Sequence, residues 1–185
     1  MRPRTSPLKK ALTLSIFLYA GLYLNAAVAS DAPALGKKIS HSEAMADSLT
    51  VYPSGQGLPA GSGDAKTGKA LYQQHCAACH GSQGRDSIST ALVGGTGTLT
   101  TAEPIRTVGS FWPYATTLFD YIQRAMPYNN PGSLEFDELY SITAYVLFLN
   151  TLIEEDTVLN ESSLATVEMP NKNGFDWLDW TKPDT

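Results

Sequence analysis

Cysteine and histidine are both scarce in this chain. Its 185 residues hold two cysteines and three histidines. A disulfide framework draws on more cysteine than that, and a zinc site needs about four ligands from the same small set. Basic charge is short as well, with 13 lysines and arginines against 18 acids. Nucleic-acid binding rests on neutralising phosphates with Lys and Arg, so that class is disfavoured. There is no internal repeat and no low-complexity tract.

A long apolar run is also missing. "ALTLSIFLYAGLYL" counts 14 residues, whereas a spanning helix wants about 20. It follows the basic "MRPRTSPLKK" and precedes "NAAVAS", small residues suited to cleavage after Ala29. That order is the layout of a secretory signal, so residues 1–29 read as a removable leader and the mature chain as periplasmic, with no stable membrane anchor. No Arg-Arg pair supports a twin-arginine route. Cleavage takes four of the 13 basic residues (Arg2, Arg4, Lys9, Lys10) and none of the 18 acids, for a net charge near −9. Such a chain is soluble and meets partners with basic faces.

Glycine and proline break up residues 30–63, as in "GQGLPAGSG", and predict an irregular surface extension with at most a short helix around Ser42–Ser48. Asp64 caps a predicted helix over Ala65–Gln74. Residues 81–110 are rich in Gly, Ser and Thr without periodicity, a long loop of the kind that wraps a ligand. Tyr114–Ala125 reads as a helix with Leu118, Tyr121, Ile122 and Ala125 at helical spacing, ended by Met126-Pro127. After the turn "NNPGS", Ser133 is placed to cap a helix over Leu134–Leu149, whose face is Leu139, Ile142, Thr143, Val146 and Leu149. Residues 151–185 lose the pattern and form an acidic tail. Its Trp177 and Trp180 favour packing on their own domain over docking.

The two cysteines stand together in "QHCAACHG", with His80 directly behind Cys79. C-x-x-C-H is the attachment sequence for c-type haem. Thiols at i and i+3 lie on one side of a helical turn and can each bond a haem vinyl carbon, and the histidine at i+4 can reach the iron. Rival readings are weaker. A disulfide three residues apart closes a very small loop, a thioredoxin-like dithiol wants a βαβ context, and zinc finds only His41 and His75 besides. A sixth iron ligand is also wanted. Met126, at a helix end, offers a soft thioether that raises the potential, or it is a core methionine. Met169 precedes a proline too, but in the tail; Met45 sits in the extension, and His75 reads as solvated.

These residues resemble a known family. "GKALYQQHCAACHG" is similar to the first helix of class I c-type cytochromes, with Gly68 and Tyr72 meeting a terminal helix similar to "ITAYVLFLN" through Tyr145. "TALVGG" resembles the family's Pro-x-Leu, whose proline carbonyl accepts from the proximal histidine. Thr90 replaces that proline here, and Leu92 matches the leucine. More specifically, "GQGLPAGSG", "TVGSFWPYATTLFDYIQRAMP" and "VEMPNKNGF" resemble the cytochrome subunits of bacterial molybdenum sulfite and sulfur dehydrogenases.

The resemblance implies an all-α class I cytochrome c domain over 64–150 around one covalently bound haem c. It implies thioethers at Cys76 and Cys79, and iron ligation by His80 and Met126. Leu92, Leu118, Ile122 and Tyr128 would shield the haem. Trp112 or Tyr114 could donate to a propionate, and Arg106 or Arg124 could pair with one; each has an equally plain role in the core or at the surface. The implied partners are a molybdenum-cofactor subunit that supplies electrons and a downstream cytochrome or oxidase that takes them. The chain would then be an electron-transfer subunit and not an enzyme by itself. A free-standing shuttle, a haem enzyme with an open iron site and a thiol–disulfide module remain as alternatives.

Overall fold

The structure, a computed structural model, describes residues 36–40, 43 and 50–175. The chain divides into two compact units, Met1–Ala44 and Met45–Thr185. In the first, the N–H and hydroxyl of Ser40 donate to Glu43 Oε2 at 2.7 and 2.8 Å. The leader over 1–29, the short helix around Ser42–Ser48 except Glu43, and His41, Met45, Trp177 and Trp180 lie outside the described residues.

The second unit is helical. A strand β1 (Ser62–Gly63) leads into helix α1 (Ala65–His75) and the single turn α2 (Ala77–His80). A long irregular segment follows, then α3 (Ala115–Ala125), α4 (Phe136–Leu149), strand β2 (Leu159–Asn160) and a 3-10 turn at Leu164–Thr166. β1 and β2 pair antiparallel, Ser62 opposite Asn160. Among the described residues no helix is long and apolar enough to cross a membrane.

Local chemistry sets the helix ends. Asp64 Oδ1 accepts the Thr67 N–H at 2.8 Å, the expected N-cap, and that bond holds the Asp64 carboxyl below its ordinary value. α3 stops where Met126 precedes Pro127, since a proline pushes its predecessor out of the helical region. α4 begins two residues later than the expected Leu134. Its cap is Glu135, not Ser133: the Glu138 carboxylate reaches back to accept the Glu135 N–H at 2.9 Å.

α1 and α4 cross at Gly68. A Cβ there would fall 1.8 Å from the Ser141 carbonyl oxygen, so only a bare Cα permits the approach. One turn on, the Tyr72 and Tyr145 rings pack at a tilt of 56° with centroids 5.2 Å apart. The Tyr72 hydroxyl donates to the Gly81 carbonyl at 3.1 Å, fixing the end of α2 to α1.

α4 is buried on every side from Leu139 to Leu147, more than the single stripe read from its spacing. Segments on either side of the helical core provide the cover. Val51 is buried and its N–H donates to Asp120 Oδ1 on α3 at 2.8 Å; Tyr140 on α4 donates to the Pro59 carbonyl at 2.8 Å. Leu159, Leu164 and Met169 join the core, and Phe175 packs edge-on against Phe111. The extension from residue 50 and the tail to residue 175 are thus knitted into the domain. α3 likewise buries a second row, Ala115 and Phe119, while Tyr121 stays half exposed.

Gly68→Ala is expected to cost about 3 kcal/mol by overpacking, read as a lower denaturant midpoint with an unchanged slope. Ala at Lys69, one residue on and exposed, should leave the midpoint in place.

Candidate haem-binding site

The C-x-x-C-H motif breaks α1. Cys76 leaves the helical region at φ −123°, and the chain restarts as α2 with the Cys79 and His80 N–H groups donating to the Cys76 carbonyl at 3.1 and 3.0 Å. The two sulfur-bearing residues and the imidazole therefore sit on one tight turn.

That turn forms one wall of a cavity of ≈ 670 Å³, inside the roughly 300–1,000 Å³ range of cofactor sites. The long segment supplies Leu92, Val108 and Trp112, α3 supplies Leu118 and Ile122, and α4 supplies Ile142 and Val146. Met126, at the end of α3, lines the same cavity as Cys76, Cys79 and His80. Among the described residues no Asp, Glu, Lys or Arg does.

His80 Nδ1 lies 3.2 Å from the Thr90 carbonyl oxygen. A carbonyl only accepts, so Nδ1 carries the proton and Nε2 keeps its lone pair for a metal. Burial, with the neighbouring Cys79 adding to it, pushes the Cys76 thiol up to about 11. A wall that disfavours thiolate favours a neutral sulfur, and a thioether is neutral. An apolar cavity of this size, two sulfurs on one turn, a free imidazole nitrogen and a methionine together fit a covalently held haem.

Other expected residues fall elsewhere. Met169 is buried in the core and is not among the cavity's lining residues. Arg106 lies over the Phe111 ring, 5.5 Å from its centroid, and Arg124 pairs with Asp120, so neither reaches the cavity. Tyr114 is also absent from the lining. Trp112 is present, with Tyr121 edge-on to it at 5.7 Å. Tyr128 stands at the rim and is 86% exposed, so it borders the cavity without closing it. His75 lines the rim, half buried.

Sequence reasoning missed Val108, which sits in an aperiodic stretch, and assigned Ile142 and Val146 to the core alone. Spacing shows which helix face is buried, not whether protein or cofactor covers it.

Among the described residues no three His, Cys, Asp or Glu side chains converge as a zinc site would need. A second hollow of ≈ 360 Å³ contains Asp64, Asp137 and Glu138, but their carboxylates already accept the Thr67, Ser62 and Glu135 N–H groups.

Fold and cavity together define a c-type cytochrome, and the chain belongs to that family, carrying covalently bound haem c. Residues 63–146 match the family described as cytochrome c oxidase, cbb3-type, subunit III. The whole domain is similar to a chain in the crystal structure of the sulfane dehydrogenase SoxCD from Paracoccus pantotrophus. The identity is 41% over 80% of this chain and 74% of that one, with a TM-score of 0.72. Among curated proteins none matches significantly.

Cys79→Ala is expected to keep the haem on one thioether and leave one vinyl conjugated. The haem absorption of the denatured protein should then shift to longer wavelength, because the conjugated system is larger. The double replacement of Cys76 and Cys79 should release the haem on denaturation.

Proposed function

We propose that the chain is the cytochrome subunit of a periplasmic molybdenum-dependent dehydrogenase acting on sulfite or a related sulfur compound. In this reading it takes single electrons from the molybdenum subunit and passes them to a downstream cytochrome or oxidase. The observation that carries the reading is the likeness to SoxCD, a sulfane dehydrogenase, at 41% identity over 80% of the chain. It extends well beyond the 63–146 stretch of the general family. The periplasmic assignment rests on the leader-like N-terminus and suits covalent attachment, which keeps a cofactor from being lost by dilution.

Bound haem supplies a one-electron Fe(III)/Fe(II) couple. The protein's part is to hold and tune it. Cys76 and Cys79 would anchor the haem, while His80 Nε2 and the Met126 sulfur would bind its iron. The Thr90 carbonyl would orient His80 through Nδ1. Leu92, Val108, Leu118, Ile122, Ile142 and Val146 exclude water, and an uncharged wall favours the less charged ferrous state.

Met126→Ala is expected to lower the midpoint potential on the order of 0.2 V, within the roughly 0.8 V that axial ligation spans, and to admit cyanide to the sixth position. An unchanged spectrum and potential would place the ligand elsewhere.

The partner is tested by purifying the tagged protein from its native host, assaying molybdenum, and adding sulfite or thiosulfate while following haem absorption. Co-purifying molybdenum with substrate-dependent haem reduction is the expected result. A clean haem protein, free of molybdenum and inert to both compounds, would mean a free-standing electron shuttle.

A further inference from the structure

Thr90 is not a proline, so no ring fixes its φ, yet its carbonyl must stay within reach of His80 Nδ1. Something else has to hold it. Part of the hold is local: the Leu92 and Val93 N–H groups donate to the Gly84 carbonyl at 2.8 and 3.2 Å. The long-range part comes from the residue that caps the C-terminus of α4, Asn150.

The Asn150 side chain bridges α4 and the long segment. One Nδ2 hydrogen goes back to the Val146 carbonyl at 2.9 Å, and the other goes across to the Leu92 carbonyl at 3.1 Å. Oδ1 accepts the Gly94 N–H at 3.4 Å. Reversing the amide would set oxygen against two carbonyls, so its orientation is determined. Gly109 leaves the room it needs, since a Cβ there would fall 2.1 Å from Asn150 Oδ1. The Leu92 carbonyl also accepts the Val108 N–H at 3.2 Å, and both of those side chains line the cavity.

We infer that Asn150 is a positioning residue for the haem ligand. By clamping Leu92 and Gly94 to the end of α4, it sets the place of the Thr90 carbonyl and thereby the orientation of His80. The inference rests on His80 being the iron ligand and goes beyond the proposed sulfur role. A plain helix cap would need only the bond to Val146; the bonds to Leu92 and Gly94 are what make Asn150 a strap.

Two variants separate cap from strap. Asn150→Ala removes both. Asn150→Ser keeps a hydroxyl able to bond the carbonyl four residues back, but its side chain is too short to cross to Leu92. The readouts, on haem-loaded protein, are exchange of the His80 Nδ1 proton with solvent by NMR in the ferrous state, the midpoint potential, and the Tm.

Both variants are expected to exchange that proton about tenfold faster, the factor that about 1.4 kcal/mol makes. Both should also show a higher potential, because an imidazole whose Nδ1–H is held more loosely donates less to Fe(III). Asn150→Ser should keep most of the Tm that Asn150→Ala loses. Wild-type exchange and potential in Asn150→Ser would overturn the inference and leave a helix cap; this variant carries the test if Asn150→Ala does not fold. Neither readout uses a partner or a sulfur compound, so the inference stands or falls apart from that reading. A histidine-ligated spectrum persisting in His80→Ala would remove its premise.

Discussion

The contact between α1 and α4 at Gly68 is the constraint on which the site depends. With a hypothetical Cβ only 1.8 Å from the Ser141 oxygen, the two backbones are as close as a glycine allows. α1 ends in the haem-attachment turn, and α4 supplies part of the cavity's far lining through Ile142 and Val146. The width of the cavity is therefore set by a contact between residues that are not part of its lining. The Tyr72 ring packed at a tilt against Tyr145, and its hydroxyl on the Gly81 carbonyl, extend that contact to the end of α2.

Much of this was legible before any coordinates. Asp64 as a cap, the stop before Pro127 and the aperiodic run after residue 80 each rest on local backbone chemistry, which a sequence displays directly. The motif QHCAACHG places two sulfurs and an imidazole on one turn by its spacing alone. The start of α4 was less legible, because Ser133 and Glu135 are both able to cap and the decision fell to Glu138, three residues further on. Burial of Val51, Leu159, Leu164 and Met169 was not legible at all. Those residues sit in stretches without a repeat, and their neighbours come from far along the chain. Met126 and Met169 are each followed by proline, but position already favoured Met126 at a helix end over Met169 in the tail, and their surroundings agree, one lining the cavity and the other filling the core.

Charge is distributed with similar economy. The chain as a whole is acidic, yet its cavity is lined without a carboxylate or a cationic side chain. Arg124 is occupied by Asp120, whose other oxygen holds the Val51 N–H, so that cation braces the segment ahead of the motif. Arg106 spends its charge on the Phe111 ring. The tuning left to the protein is therefore by dielectric and by hydrogen bonds, above all the one between His80 and Thr90.

The order of these parts along the chain carries a temporal consequence. The thiols belong to a turn near the middle of the polypeptide, whereas Ile142, Val146 and the strand that pairs with Ser62–Gly63 come later. Gly68 and Ser141 are separated by about 70 residues, a non-local contact of the kind that forms late in folding. In a chain that has not yet folded, both cysteines are open to attachment chemistry before α4 docks against α1. Once α4 docks, Cys76 is half enclosed and its thiol resists ionisation. Attachment before docking is therefore the order that this fold favours.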